Sequence, residues 1–392
     1  MAATLALRPA PLRTEARASA PRVANAALRL RVPLARRAAP LRCTAAFAVA
    51  RGTVATGKTA PAGTAARRSV QTRASAAAAS PAATDVVEEV TSVLSSAIIR
   101  CVGACALLAA AALVEHPFFR PVACLAFGGA IGHMGLKSGG LSKDGAIAAA
   151  IVGAATLSAS YPCACLLLCF YLTSSKLTEM GAARKAAMEA DYKGKGGKRT
   201  AWQVAANAGV PTVLAVAHAA AEGGPDAAPL AAAILAFFAC CCGDTWASEI
   251  GVLSTDKPKL ITTGAEVPAG TNGGVTALGL AASAAGGAFM GLVWMITSAV
   301  GGGAGGVPAP TLRWSVLLGI AAGLGGSLID SLLGATVQYS GQDKAGKIYN
   351  KPMQGVELKR ISGKDWITNG TVNVLSATIT AVLALTLIAS FP

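Results

Sequence analysis

The sequence predicts an all-α protein, a polytopic transmembrane helical bundle of about nine spans behind a disordered N-terminal transit segment. Composition is the first of three observations behind this reading. The 392 residues are 53% hydrophobic and 14% charged, with mean hydropathy +0.54. A soluble chain carries about a quarter charged residues. Second, apolar runs near the length of about 20 residues that a helical span needs recur along the chain. Third, no alternating apolar and polar pattern of barrel type appears, so runs that cross lipid must close their backbone hydrogen bonds as helices.

The N-terminal segment differs from the rest. Residues 1–74 hold 14 of the 34 Lys and Arg and a single acid, Glu15. Removing them leaves 20 basic and 18 acidic residues, so the formal charge of +15 belongs almost wholly to this segment. Its Ala, Arg, Ser and Thr content, with no secretory apolar run, is transit-peptide composition. Plastid is favoured over mitochondrion. Val70–Ala74 is a plausible processing region, and residues 75–95 read as a linker to a transmembrane domain over 96–392. A near-neutral mature chain argues against nucleic-acid binding.

In chain order, the candidate spans lie near 96–114, 120–136, 144–159, 161–176, 203–221, 228–243, 274–298, 312–335 and 368–390. Three polar loops, 177–202, 244–273 and 337–366, are each separated by two spans. Parity therefore puts them on one side, and their lysines and arginines agree with the positive-inside rule. In a plastid membrane that side is the stroma. Gly287 with Gly291, and Gly319 with Gly323, are spaced for close helix packing. Gly301–Gly306 reads as a flexible connection on the opposite side.

Nine cysteines fall after the transit segment, mostly in apolar runs, and read as small buried side chains. Cys240, Cys241 and Cys242 are a candidate redox-sensitive spot. With only His116, His133 and His218 present, histidine catalysis is not expected.

The chemistry concentrates where the sixth span ends, at Gly243-Asp244-Thr245-Trp246-Ala247-Ser248-Glu249. Asp244 and Glu249 are candidates for a divalent ion carrying a phosphorylated ligand. On an ideal helix they point about 140° apart, so sharing one ion needs a break or a neighbour. The alternative is a capped helix end. Lys257 or Lys259 and the turn Gly270-Thr271-Asn272-Gly273-Gly274 can face phosphate with cations and backbone N–H groups, or be ordinary turn chemistry. Asp330 is an acid deep in an apolar run, and such acids are functional by default; the alternative is a protonated or hydrogen-bonded packing residue. Lys198 and Arg199, before Gln203 and Asn207, suit phosphate head groups or merely set topology.

In this order, Ser248 through Ser254, Lys259 through Thr263 and Val267 through Val275 resemble the central signature of an integral-membrane family. That family includes eukaryotic transmembrane protein 19 and the plastid phytyl-phosphate kinases. Ser174–Thr178, Lys198–Thr200 with Gln203, and Asp330–Gln338 support the likeness, which covers about residues 120–390. The resemblance implies a chloroplast kinase of vitamin E (tocopherol) biosynthesis that converts phytyl monophosphate to phytyl diphosphate with CTP or another NTP and Mg²⁺. The expected partners are the isoprenoid monophosphate, the nucleotide and the lipid bilayer. On this reading Asp244, Glu249 and Asp330 are catalytic, Asp244 and Glu249 bind the metal, and Lys198, Arg199, Lys257, Thr271, Asn272 and Gly273 bind phosphate. A membrane transporter or lipid-handling protein without catalysis is the alternative.

Overall fold

The computed structural model describes residues 81–112, 118–188, 190, 198–221, 224–300 and 309–390. The expected transit segment and the Gly301–Gly306 connection lie outside them. Among the described residues the chain forms nine helices, one for each expected span. They are α1 (Pro81–Ala112), α2 (Phe119–Lys137), α3 (Lys143–Ala159), α4 (Tyr161–Met188), α5 (Ala201–Ala220), α6 (Ala227–Gly251), α7 (Ala277–Val300), α8 (Ala309–Val337) and α9 (Asn369–Ser390). Five helices, α1 and α6–α9, are long and apolar enough by themselves to cross a membrane. The protein is a mostly helical membrane protein.

Three helix boundaries differ from the sequence reading, each because a polar stretch continues a helix. The stretch 81–95, assigned to a linker, is the first half of α1. Val90, Val93, Leu94, Ala97 and Cys101 recur at helical spacing and pack inward while their neighbours stay exposed. An amphipathic helix of this kind has no continuous apolar run to reveal it. Helix α4 continues past residue 176 through residues of high helix propensity. Helix α6 continues to Gly251, so Asp244 sits two turns inside a helix rather than at its end.

Helix α6 is the centre. Its run Ala231–Gly243 is buried on every side, as expected of a helix without a polar face. Helices α4, α5, α7, α8 and α9 surround it. Glycines set the closest approaches. A Cβ on Gly243 would fall 2.8 Å from Gly323 Cα and 2.9 Å from the Ser283 carbonyl oxygen, and one on Gly323 would fall 2.8 Å from Gly287 Cα. The expected Gly287 and Gly291 spacing on α7 does meet Gly319 and Gly323 on α8.

The connections fold onto one another at one end. The Arg199 N–H donates to Gly140 O (3.0 Å), and Ser142 N–H donates to Arg199 O (3.0 Å), joining the α4–α5 and α2–α3 connections. Ala190 N–H donates to Ile348 O (3.0 Å), and Asn272 N–H to Ser340 Oγ (2.9 Å). These contacts gather the three basic loops on one face, as parity requires. The loops carry two small antiparallel sheets that helix periodicity does not announce. One pairs β1 (Lys259–Leu260) with β2 (Gly274–Val275); the other orders β3 (Ser340–Gln342) between β4 (Ile348–Tyr349) and β5 (Lys359–Ser362).

Candidate functional site

A cavity of about 410 Å³ opens among α6, α8, α9 and the α6–α7 loop, on the face where the loops gather. Its position follows from the glycine crossing. Gly243 touches Gly323, so Asp244, the next residue on α6, meets the following turn of α8. There Ser327 Oγ donates to Asp244 Oδ1 at 3.3 Å. One turn further along α8, Asp330 Oδ2 accepts from Ser376 Oγ of α9 at 2.8 Å. Both carboxylates line the cavity. Two acids on facing intramembrane helices need a cation, a proton or water to be tolerated.

Glu249 has a different neighbour. Its Oε1 accepts from Thr178 Oγ1 (3.0 Å) and lies 2.9 Å from Lys185 Nζ, both on α4. Because α6 does not break, the angular separation expected of Asp244 and Glu249 holds, and the two turn to α8 and α4 respectively. Asp330 joins the two acids expected there: all three line the cavity, with Asp244 and Asp330 on facing helices and Glu249 turned to α4. Glu249 Oε2 is buried without a hydrogen-bond partner and belongs to a residue lining the cavity; Asn373 Oδ1 is in the same state.

The expected phosphate ligands divide. Thr271, Asn272 and Gly273 do line the cavity, and they also hold the loops together. Asn272 Nδ2 donates to Tyr339 O (2.9 Å) and Asn350 Oδ1 (3.3 Å), which ties the second loop to the third. Thr271 Oγ1 donates to Pro268 O (2.7 Å). The N–H groups of Thr271, Asn272 and Gly274 are used by Pro268 O, Ser340 Oγ and Thr271 O, so the turn offers fewer free donors than its sequence suggests. Gly273 has φ +77°, and a Cβ there would strike Ala335 and the Ser331 carbonyl. Only glycine allows the turn to sit against α8.

Lys198, Arg199 and Lys257 do not line this cavity. Lys257 is 76% exposed and lies 3.4 Å from Glu266. Lys198 is exposed, and Arg199 faces a second pocket. Among the described residues, the cation that does line the cavity is Lys185. Its signal is present in the sequence, because Thr178 and Lys185 stand two turns apart on one face of α4. Gln338, Asn350, Asn369 and Asn373 add amides, and Gln338 Nε2 donates to Asn369 Oδ1 at 3.3 Å. The Cys240–Cys242 triple is buried, with Cys240 packed on Gly326 of α8, so its thiols are removed from solvent.

Among the described residues no three His, Cys, Asp or Glu side chains are disposed to hold a metal by themselves. Mg²⁺ is ordinarily held by one or two carboxylates together with substrate phosphates. The all-oxygen chemistry of Asp244 and Asp330 fits that ion on those terms.

Comparisons with known proteins agree with the membrane reading. The family described as integral membrane protein DUF92 matches residues 126–381. Protein PGR of Arabidopsis thaliana is 39% identical over 278 residues, covering 68% of this chain and 96% of that protein. An uncharacterized membrane protein of Methanocaldococcus jannaschii is 31% identical over 206 residues, covering 52% of this chain and 78% of that protein. No solved structure matches the chain.

Proposed function

The chain belongs to the integral membrane protein DUF92 family, and we propose that it acts there as an isoprenyl-phosphate kinase of the chloroplast membrane. The reaction is transfer of the γ-phosphoryl group of CTP or another NTP to phytyl monophosphate, giving phytyl diphosphate for tocopherol synthesis and phytol salvage. The observation that carries this reading is the paired carboxylates Asp244 and Asp330 in a cavity where the membrane helices meet the basic loops. An isoprenoid chain belongs in lipid, and its phosphate belongs at that level.

The chemistry asks for positioning and charge neutralisation more than for covalent assistance. An oxygen of the acceptor monophosphate forms a bond to the γ-phosphorus, the β–γ P–O bond breaks, and a nucleoside diphosphate leaves. The acceptor oxygen is already ionised, so no strong general base is needed. Asp244 and Asp330 would hold Mg²⁺, which when bound neutralises phosphate charge. Ser327 and Ser376 fix the orientation of the two carboxylates through their hydrogen bonds. Lys185 contributes positive charge at the cavity wall while Glu249 holds it in place. Asn350 and Asn369 offer amide groups to phosphate oxygens.

The deciding assay combines purified protein, phytyl monophosphate, each NTP and Mg²⁺, with product diphosphate read by mass spectrometry. Diphosphate from wild type and none from Asp244→Asn is expected. Folded wild-type protein that makes no diphosphate with any donor overturns the reading and favours a transporter.

A further inference from the structure

A second cavity lies between α2, α3, α4 and α5. Phe127, Val152 and Leu168 represent its apolar walls, and Tyr171, Arg199 and Asn207 its polar part. Its volume of about 70 Å³ is several times what one water needs, and its mostly apolar lining suits methylene groups.

Arg199 is held there by its main chain, which bonds to Gly140 and Ser142 on either side. Its guanidinium lies over the Tyr171 ring, 5.2 Å from the centroid. Among the described residues no carboxylate forms an ion pair with it. The charge of Glu249 reaches it, but Glu249 is already engaged by Lys185. Burial pulls the Arg199 pKa below its usual range, although a guanidinium keeps its proton regardless. A half-buried cation with no carboxylate paired to it among the described residues, placed beside an apolar cavity, is stabilised when an anion completes it.

We propose that this cavity binds an amphiphile, with one apolar chain between the four helices and an anionic head group on Arg199. Either a prenyl phosphate or an anionic lipid of the bilayer has that chemistry. The proposal does not rest on the kinase reading, because it concerns binding without nucleotide at residues outside the Asp244 cavity.

The test is native mass spectrometry of full-length protein in neutral detergent, without nucleotide. The probes are phytyl monophosphate and phosphatidylglycerol, each against its counterpart without net charge, phytol or phosphatidylcholine. Wild type is expected to retain at least one anionic probe at least tenfold better than its counterpart. Arg199→Gln and the slot-filling Val152→Trp should each lower that retention at least tenfold, Arg199→Lys should restore part of it, and Lys257→Ala, outside both cavities, should leave it intact. Retention of the prenyl phosphate alone identifies the site as one for isoprenoid chains; retention of phosphatidylglycerol identifies a bilayer-lipid site. Equal retention of the uncharged counterparts, or unchanged retention in both Arg199→Gln and Val152→Trp with melting temperatures like wild type, overturns the proposal.

Discussion

Lys185 Nζ lies 2.9 Å from Glu249 Oε1, and both side chains are largely buried. This pair joins α4 to α6 at the wall of the Asp244 cavity and occupies one Glu249 oxygen, while Oε2 has no hydrogen-bond partner. Thr178 shares the same oxygen, so Oε1 is engaged before any ligand arrives.

Breaking that pair from one side leaves an uncompensated buried charge. Lys185→Met should destabilise the protein by about 3 kcal/mol or more, read as a lower melting temperature in detergent. The double change Lys185→Met with Glu249→Gln should recover much of the loss. A double variant no more stable than Lys185→Met would show that the pair is not the cause.

Asp244→Asn and Asp330→Asn should each lower turnover by about 100-fold or more, the scale of removing one preorganised electrostatic group. Each should also raise the Mg²⁺ concentration needed for half-maximal rate. If Glu249→Gln raises that concentration as much and the aspartate variants do not, the metal assignment belongs to Glu249 after all.

Lys198→Ala and Lys257→Ala change solvent-facing side chains outside the cavity. Both should keep the KM for nucleotide and for phytyl monophosphate within about twofold, since exposed charges contribute little at such sites. A tenfold rise in either KM would return these lysines to phosphate binding.

Gly273→Ala combines an unfavourable positive φ with a clash against α8. We expect a stability loss of about 1–3 kcal/mol and a fall in kcat, because the same turn closes the cavity. Gly264 also has positive φ (71°), but nothing lies near a Cβ placed there. Gly264→Ala should therefore cost less than Gly273→Ala in a parallel thermal melt.

Much of the fold is legible in the chain because span length and apolar content are local properties. All nine expected spans correspond to helices. Loop parity is equally local, and the contacts of Ala190, Arg199 and Asn272 bear it out. The legible part ends where helices turn polar. Residues 81–95, 177–188 and 244–251 carry charges and hydroxyls, so a hydropathy reading stops short while helix propensity and one-sided burial carry the helix on. The small sheets in the loops are also silent, since strands of two to four residues have no periodicity to detect.

The sequence by itself determined the membrane class, the helices, the face on which the basic loops gather and the acids worth watching. Side-chain polarity against a bilayer of fixed thickness is enough for those. Tertiary structure alone decided which neighbour each acid meets at the cavity. Asp244 meets Ser327, 83 positions away, because Gly243 and Gly323 let two backbones nearly touch and fix the rotation of α6 against α8. Glu249, only five residues on, faces α4 instead. Spacing along one helix states how far apart two side chains point, but the neighbour each one meets depends on packing.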